Sequence, residues 1–249
     1  MLRAYYLLFV LLILGCAARE KRDPRLASIH LSIGTGHLNQ GLYPQALDEL
    51  TKALNFDDEN PIIHNNLGIA YFVRNRFSEA ETHLKKAIYL NPDYTEARNN
   101  LGRVLIEMNL LDAAIRELKI ADKDLKYESP EKTKSNLGAA FFKLGKFEQA
   151  KVYLGESLKL RGQHCLTSNY FARSLFELKM YEQAAVAFDQ AINNCKNEEL
   201  DEPVYYSGLA YFKLKKQKES EIRFEEVVQN YPNGKYSEQA SKMLKMIRK

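Results

Sequence analysis

A small residue returns along this chain at a spacing of 34 to 36 residues. It is glycine or alanine in all six places, which are Gly34, Gly68, Gly102, Gly138, Ala172 and Gly208. A second small residue follows each of them, from Ala46 to Ser220, and a large apolar residue comes next, from Leu50 to Phe224. Small and large side chains interdigitate in this way where neighbouring helices pack closely. A period of this length predicts stacked helix hairpins, which bury their apolar faces only against one another.

The repeat around Gly68 resembles the tetratricopeptide-repeat (TPR) signature. It combines the pair Leu67-Gly68 with Tyr71, Ala80, Leu84, Ala87 and Pro92. Glycine and proline residues divide the pattern into short helices, which argues against two long coiled helices. We therefore predict an all-α TPR solenoid, one domain of six helix-turn-helix repeats with a C-terminal capping helix. The repeats span residues 27–60, 61–94, 95–130, 131–164, 165–200 and 201–234, and the capping helix spans residues 235–249.

The N-terminus has the pattern of an exported lipoprotein. Arg3 precedes an apolar run from Ala4 to Leu14, which is too short to cross about 30 Å of hydrocarbon. The run ends in Gly15-Cys16 and resembles the lipobox of bacterial lipoproteins. We expect residues 1–15 to be a signal peptide and residues 16–26 to be a tether lipidated at Cys16. Because the next residue is alanine rather than aspartate, the resemblance implies a protein anchored in the outer membrane, on its periplasmic face.

Two further cysteines favour a disulfide. Cys165 opens the first predicted helix of repeat five, and Cys195 lies just beyond the end of the second helix. An antiparallel hairpin brings these points to the same end, and an oxidising compartment permits a bond between them. The alternative is a nucleophile formed by His164 and Cys165. It is the weaker interpretation, because adjacent side chains rarely reach one atom and no orienting group is evident.

Charge and motifs argue against an enzyme and against a nucleic-acid-binding protein. The formal net charge of +4 over 249 residues is small, and no basic stripe alternates with aromatic residues. The five histidines are scattered along the sequence without a pair at metal-ligand spacing, and neither a phosphate-binding loop nor a serine nucleophile motif occurs. We expect no catalytic residue, no metal and no cofactor, in a monomer that binds other proteins.

The first helix of each repeat lines the concave face of TPR folds, where we expect a partner to bind. The sixth position of this helix is asparagine in three successive repeats, and a second asparagine precedes two of these; they are Asn65, Asn66, Asn99, Asn100 and Asn136. Carboxamides both donate and accept hydrogen bonds, so a solvent-facing ladder of them suits the backbone of an extended peptide. The alternative is that each asparagine is simply a solvated residue.

Aromatic residues continue this face toward the C-terminus. Phe142 and Phe176 occupy the twelfth position of their helices, and Tyr170 occupies the sixth. Part of the aromatic set must belong to the hairpin core, and the rest is expected to form an apolar pocket for a partner.

The chain as a whole resembles one family, the type IV pilus biogenesis lipoproteins PilF and PilW. The likeness lies in the lipobox, the six repeats and a longer joint between repeats three and four, in residues 124–138. It implies a pilotin that binds a secretin subunit, or another pilus-assembly protein, and promotes the secretin multimer. Asn75 and Asn109 depart from the glycine that is usual in the turn. Two alternatives stay open: a scaffold for peptidoglycan hydrolases or an outer-membrane assembly machine, and, more remotely, an enzyme.

Overall fold

The structure, a computed structural model, describes residues 22–161, 164–196, 198 and 200–248. This described part contains thirteen α-helices and no β-strand. The predicted signal peptide, the lipidation site Cys16 and the tether as far as residue 21 lie outside the described residues. Within the described ranges, no helix combines the length and the apolar character needed to cross a membrane.

The chain divides into two compact units, Met1–Tyr94 and Thr95–Lys249. The helices of the first unit are α1 (Pro24–Asn39), α2 (Tyr43–Phe56), α3 (Pro61–Val73) and α4 (Phe77–Leu90). Those of the second unit are α5 (Thr95–Glu107), α6 (Leu111–Ala121), α7 (Pro130–Lys143), α8 (Phe147–Leu160), α9 (Cys165–Glu177), α10 (Tyr181–Asn194), α11 (Glu202–Lys213), α12 (Gln217–Asn230) and α13 (Ser237–Ile247). The division falls at a predicted repeat boundary, as expected when each hairpin contacts mainly its neighbours.

Within each unit the helices pair in sequence into hairpins, and each hairpin packs on the next one. The last helix, α13, packs against α12 and closes the final hairpin. The predicted all-α fold of TPR hairpins, stacked in the manner of a solenoid, is therefore confirmed.

The first helix begins earlier than predicted. Asp23 has an extended backbone, and its carboxylate accepts hydrogen bonds from the amides of Arg25 and Leu26 at 3.0 and 3.2 Å. Proline suits the first helical position, because an N–H there would have no acceptor within the helix and proline has no N–H. Residues 24–26 therefore belong to α1 rather than to the tether, since aspartate is a good N-cap and proline a good first residue.

The turn inside each hairpin requires a residue with a left-handed backbone conformation, that is a positive φ, at the same position of the repeat. The residues there are Gly41, Asn75, Asn109, Gly145, Lys179 and Lys215, with φ between +58° and +74°. Asparagine tolerates this region better than most residues with a side chain. The departures from glycine at Asn75 and Asn109 therefore leave the turn unchanged.

The alternation of small and large residues sets how closely the two helices of a hairpin approach. A Cβ atom added at Gly138 would lie 2.3 Å from Cγ of Leu154, and one at Gly68 would lie 2.5 Å from Cγ of Leu84. These distances are below van der Waals contact, so glycine is required for this approach. The large residues of the six hairpins are 0% exposed; they are Leu50, Leu84, Leu118, Leu154, Phe188 and Phe224.

A disulfide joins the two ends of the fifth hairpin. The sulfur atoms of Cys165 and Cys195 lie 2.06 Å apart, and their Cα atoms are 4.7 Å apart. Cys165 begins α9, Cys195 follows the end of α10, and both side chains are buried. The bond therefore closes this hairpin at the end where the sequence placed both cysteines.

We expect the disulfide to be present in protein from an oxidising compartment and to stabilise the fold. Its cysteines are 30 residues apart, and closing a loop of that size stabilises by roughly 3 kcal/mol in the chain-entropy model. Mass spectrometry without reductant should find the two cysteine peptides joined, and reduction should lower the midpoint of urea unfolding. The double variant Cys165→Ala, Cys195→Ala is the control, because it should match the reduced protein. Two free thiols in the unreduced protein would contradict this prediction.

Candidate protein-binding face

Three first helices of the second unit, α7, α9 and α11, lie side by side. The ring of Phe142 on α7 meets that of Tyr170 on α9, with ring centroids 5.1 Å apart. Phe176 on α9 meets Tyr206 on α11 edge-on at 5.6 Å. Both contacts join the twelfth position of one repeat to the sixth position of the next. The structure therefore places the predicted Phe142, Tyr170 and Phe176 in two ring pairs across three neighbouring first helices, and Arg173 contacts one ring of each pair.

The ring contacts continue onto the capping helix. Tyr236, at the start of α13, stacks on Tyr205 with centroids 4.7 Å apart and meets Tyr206 edge-on at 5.7 Å. We call Phe142, Tyr170, Phe176, Tyr206 and Tyr236 the aromatic cluster. Each of its rings is half-buried. Rings that are fixed by packing and still reach solvent can bind a partner at little cost in side-chain entropy.

Arg173 lies inside this cluster as its charged member. Its guanidinium carbon is 3.8 Å from the ring centroid of Tyr206 and 5.3 Å from that of Phe142. One of its nitrogens donates to Glu202, whose carboxylate also accepts from Asn169 at 2.7 Å. The hydroxyl of Tyr236 donates to the same carboxylate at 3.0 Å. Arg173 and Glu202 thus hold three helices together beneath the rings.

Two polar atoms in this region are buried without a hydrogen-bond partner among the described residues, Oδ1 of Asn169 and Nε of Arg173. Buried polar groups in folded proteins are almost always paired.

Burial raises the pKa of the Tyr170 and Tyr206 hydroxyls above the ordinary value. Both hydroxyls therefore stay protonated at neutral pH and carry no negative charge into the cluster.

The expectation that the asparagines face solvent is wrong for three of them. Asn65, Asn66 and Asn99 are only 3%, 8% and 4% exposed. In the first unit, Asn65 donates to Asn66 at 3.2 Å, and Asn66 donates to Thr35 of α1 at 2.8 Å. Buried carboxamides need such partners; that of Asn65 lies on the same helix, and that of Asn66 lies on the neighbouring first helix. These side chains therefore contribute to packing between repeats.

The other two asparagines are half-buried. Asn136 on α7 donates from Nδ2 to Oδ1 of Asn99 on α5 at 3.0 Å. Asn100 occupies the equivalent position on α5 and is likewise half-buried. At least one of these two amides is thus engaged between repeats, and the aromatic cluster is the better candidate for partner contact.

A histidine pair lies in the first unit, where the sequence had indicated only scattered histidines. Nδ1 of His64 lies 3.1 Å from Nδ1 of His83, and Nε2 of His64 lies 3.0 Å from the carbonyl oxygen of Asp58. If Nε2 of His64 donates to that carbonyl, its Nδ1 must accept from His83. Burial lowers the pKa of His64 and lowers that of His83 to about 4. Both rings are therefore neutral at pH 7. No group of three His, Cys, Asp or Glu side chains suited to a metal occurs within the described ranges.

Sequence reasoning missed the polar half of the cluster. Arg173 follows the small packing residue of its helix, at a position that is uncharged in most repeats, and Glu202 opens the next first helix. An arginine beside this packing site was the available signal. The pairing with Glu202 depends on the distance between helices, which the sequence does not specify.

Comparison with known families agrees with the hairpin geometry. The Tetratricopeptide repeat families match residues 61–94, 132–165 and 204–234, and a family described as TPR repeat matches residues 37–73. The chain is a TPR repeat protein. The first of these matches coincides with the second predicted repeat. TPR proteins are in general non-enzymatic binding scaffolds, and PilW, one of the neighbours described next, is a pilus biogenesis factor rather than an enzyme. A search of curated proteins found no match.

Several solved structures share this fold at low sequence identity. PilF of Pseudomonas aeruginosa superposes with a TM-score of 0.76 at 21% identity, over 88% of this chain and 98% of that one. PilW, described as a widely conserved type IV pilus biogenesis factor, superposes with a TM-score of 0.77 at 18% identity, over 91% of this chain and 100% of that one. YrrB, a TPR protein with an unusual peptide-binding site, reaches 0.62 at 18% identity, over 78% of this chain and 97% of that one. At these identities the likeness shows the fold.

Proposed function

We propose that this TPR protein is a lipoprotein of the outer membrane that faces the periplasm and acts as a pilotin for type IV pilus assembly. Its client is a secretin subunit or another pilus-assembly protein. The lipid on Cys16 retains the protein at the membrane, since several acyl chains anchor stably where one does not. The TPR hairpins then hold the client while it multimerises.

The observation that supports this role most strongly is the extent of the likeness to PilF and PilW. Each of those chains is covered almost completely, at 98% and 100%, by the same helical repeats. The lipobox around Cys16 is a separate feature of the sequence and supports an anchored protein. An anchored scaffold without catalytic motifs suits a protein that guides another one to the membrane.

The aromatic cluster is the client site in this proposal. Half-buried rings on neighbouring helices offer an apolar surface for a hydrophobic segment of the client. Aromatic residues and arginine are also the side chains most often found at energetically dominant positions of protein interfaces. Because Arg173 is paired with Glu202, the site is close to neutral and favours an apolar segment over an acidic one.

Removal of the gene tests the role. A strain without it should lose the heat- and detergent-resistant secretin multimers and its pili, and the wild-type gene should restore both. The variant Cys16→Ser should remain as a larger precursor away from the outer membrane, because the thiol that receives the lipid is absent.

Each of these two experiments has an outcome that would contradict the proposal. Normal secretin multimers in the strain without the gene would refute the pilotin role, and a cell-wall or outer-membrane assembly defect in their place would favour the scaffold alternative. Normal processing and outer-membrane fractionation of Cys16→Ser would refute the lipid anchor but not the client.

A further inference from the structure

The loop between α6 and α7 presents a leucine to solvent. Leu125 is 97% exposed. The loop itself is tied down on both sides of it: Oδ1 of Asp124 accepts from the amide of Lys126 at 2.9 Å, and Thr95 donates to Oδ2 of Asp124 at 2.5 Å. The fold thus holds a large apolar side chain in water, which is unfavourable unless something covers it.

Other exposed apolar side chains lie at the same end of the second unit. Ile120 lies in the last turn of α6, Leu160 ends α8 and Leu166 lies in the first turn of α9, with exposures of 47%, 56% and 48%. Ser157 near the end of α8 donates to the carbonyl of Glu131 at the start of α7, at 2.8 Å. The ends of second helices and the starts of first helices therefore meet here. We call the four apolar residues Ile120, Leu125, Leu160 and Leu166, with the exposed charges around them, the Leu125 edge.

The exposed charges of this edge are almost all positive. Between residues 119 and 132 and between residues 159 and 166, the exposed cations are Lys119, Lys123, Lys126, Lys132, Lys159 and Arg161, and the exposed carboxylate is Glu128. The other carboxylates of the two segments are partly buried: Asp122 pairs with Lys134 at 3.2 Å, Glu131 pairs with the exposed Arg161 at 3.4 Å, and Asp124 holds the loop. Six cations against four carboxylates give the two segments a formal net charge of +2. Because the side chains that reach solvent are mainly cationic, the edge favours an anionic surface.

We propose that the Leu125 edge docks on the surface of an anionic phospholipid membrane. An exposed leucine with Lys123 and Lys126 in the same loop suits a lipid interface, which accepts apolar side chains while headgroups attract the cations. A protein partner would need a pocket to receive the protrusion. A second copy is disfavoured, since four exposed apolar side chains offer far less than the about 800 Å² per partner of a stable interface. The proposal rests on the proposed function only in placing the protein at a membrane, and it does not depend on which client the protein binds.

A single tryptophan tests the contact, because the chain has none of its own. The lipidated variant Leu125→Trp is reconstituted into vesicles of phosphatidylethanolamine and phosphatidylglycerol, with or without bromine on the acyl chains. Its emission should shift to the blue and lose roughly half its intensity to the brominated lipid, because interfacial side chains reach about 5–10 Å into the headgroup and acyl boundary. Adding Lys123→Gln and Lys126→Gln should weaken the quenching at least several-fold.

The matched control is Val186→Trp, which replaces an apolar residue of α10 that is 60% exposed and lies outside the edge. Its emission should stay at the wavelength typical of water, without quenching. Unquenched Leu125→Trp on vesicle-bound protein would overturn the proposal. A blue shift without lipid quenching would also overturn it; a larger particle mass would then indicate a second copy, and a shift that appears only with an acidic peptide would indicate a protein partner.

Failure of the anchor is distinguishable from failure of docking. Mass spectrometry of the N-terminal peptide reports acylation of Cys16 directly. If Cys16 carries no lipid, the proposed anchor fails, and the same tryptophan variant mixed with added vesicles still decides the docking: quenching supports it and its absence overturns it.

Discussion

Replacing Phe188 with alanine is expected to lower the free energy of unfolding by about 3–5 kcal/mol, the range for a large aromatic lost from a core. Phe188 is 0% exposed on α10. Its ring lies 6.5 Å from that of Phe176 and 6.1 Å from that of Tyr206, measured between centroids. The variant leaves a cavity under two members of the aromatic cluster. Urea unfolding followed by circular dichroism measures the loss.

Phe212→Ala is the matched control for this prediction. Phe212 belongs to the same unit and is 36% exposed on α11, so its truncation should cost about 1 kcal/mol or less. Equal losses for the two variants would mean that Phe188 is not the packing residue of this hairpin. We expect the Phe188 variant also to weaken client binding, because the rings above the cavity lose their fixed orientation.

The period of the sequence was sufficient to predict the hairpins and their packing. A small residue such as Gly138 can precede a buried leucine at a fixed spacing only where two helices cross closely. Gly41 and Gly145 marked the turns, and Asn75 and Asn109 are among the residues that tolerate the same backbone. Each of these features depends on local geometry within one repeat, which the sequence states directly.

Contacts between repeats were harder to predict. The fifth and sixth positions of the first helix lie near neighbouring first helices, so Asn99 and Asn66 are buried by neighbours that no local pattern identifies. His64 and His83 are 19 residues apart in sequence and meet only because α3 and α4 form a hairpin. These differences share one cause, since the period places a residue on its helix but does not specify which side chain of another helix covers it.

The aromatic positions, in contrast, could be predicted from the sequence, because the aromatic residues recur at regular positions of the repeat. Phe142 and Tyr170 stand at regular repeat positions, and their contact follows from the stacking of α7 on α9. Arg173 adds what the pattern lacked, a cation held between two rings and neutralised by Glu202. A surface that is apolar, rigid and nearly neutral is what distinguishes this face as the client site in our account.

The double variant Phe142→Ala, Tyr170→Ala is expected to abolish client function while the protein stays folded. Both rings are half-buried, so their loss should disturb the core much less than loss of Phe188. Truncating a dominant interface aromatic costs about 2 kcal/mol or more, and two of them should reduce affinity for the client on the order of a thousandfold. Tyr89→Ala is the control, because Tyr89 is 77% exposed on α4 and lies outside the face.

The most direct test is the amount of heat- and detergent-resistant secretin multimer in cells that express the double variant as their only copy. Circular dichroism and membrane fractionation first establish that the variant is folded and in place. Our account predicts that the multimer disappears with Phe142→Ala, Tyr170→Ala and remains with Tyr89→Ala. A normal amount of multimer with the folded, correctly located double variant would contradict the assignment of the aromatic cluster as the client site.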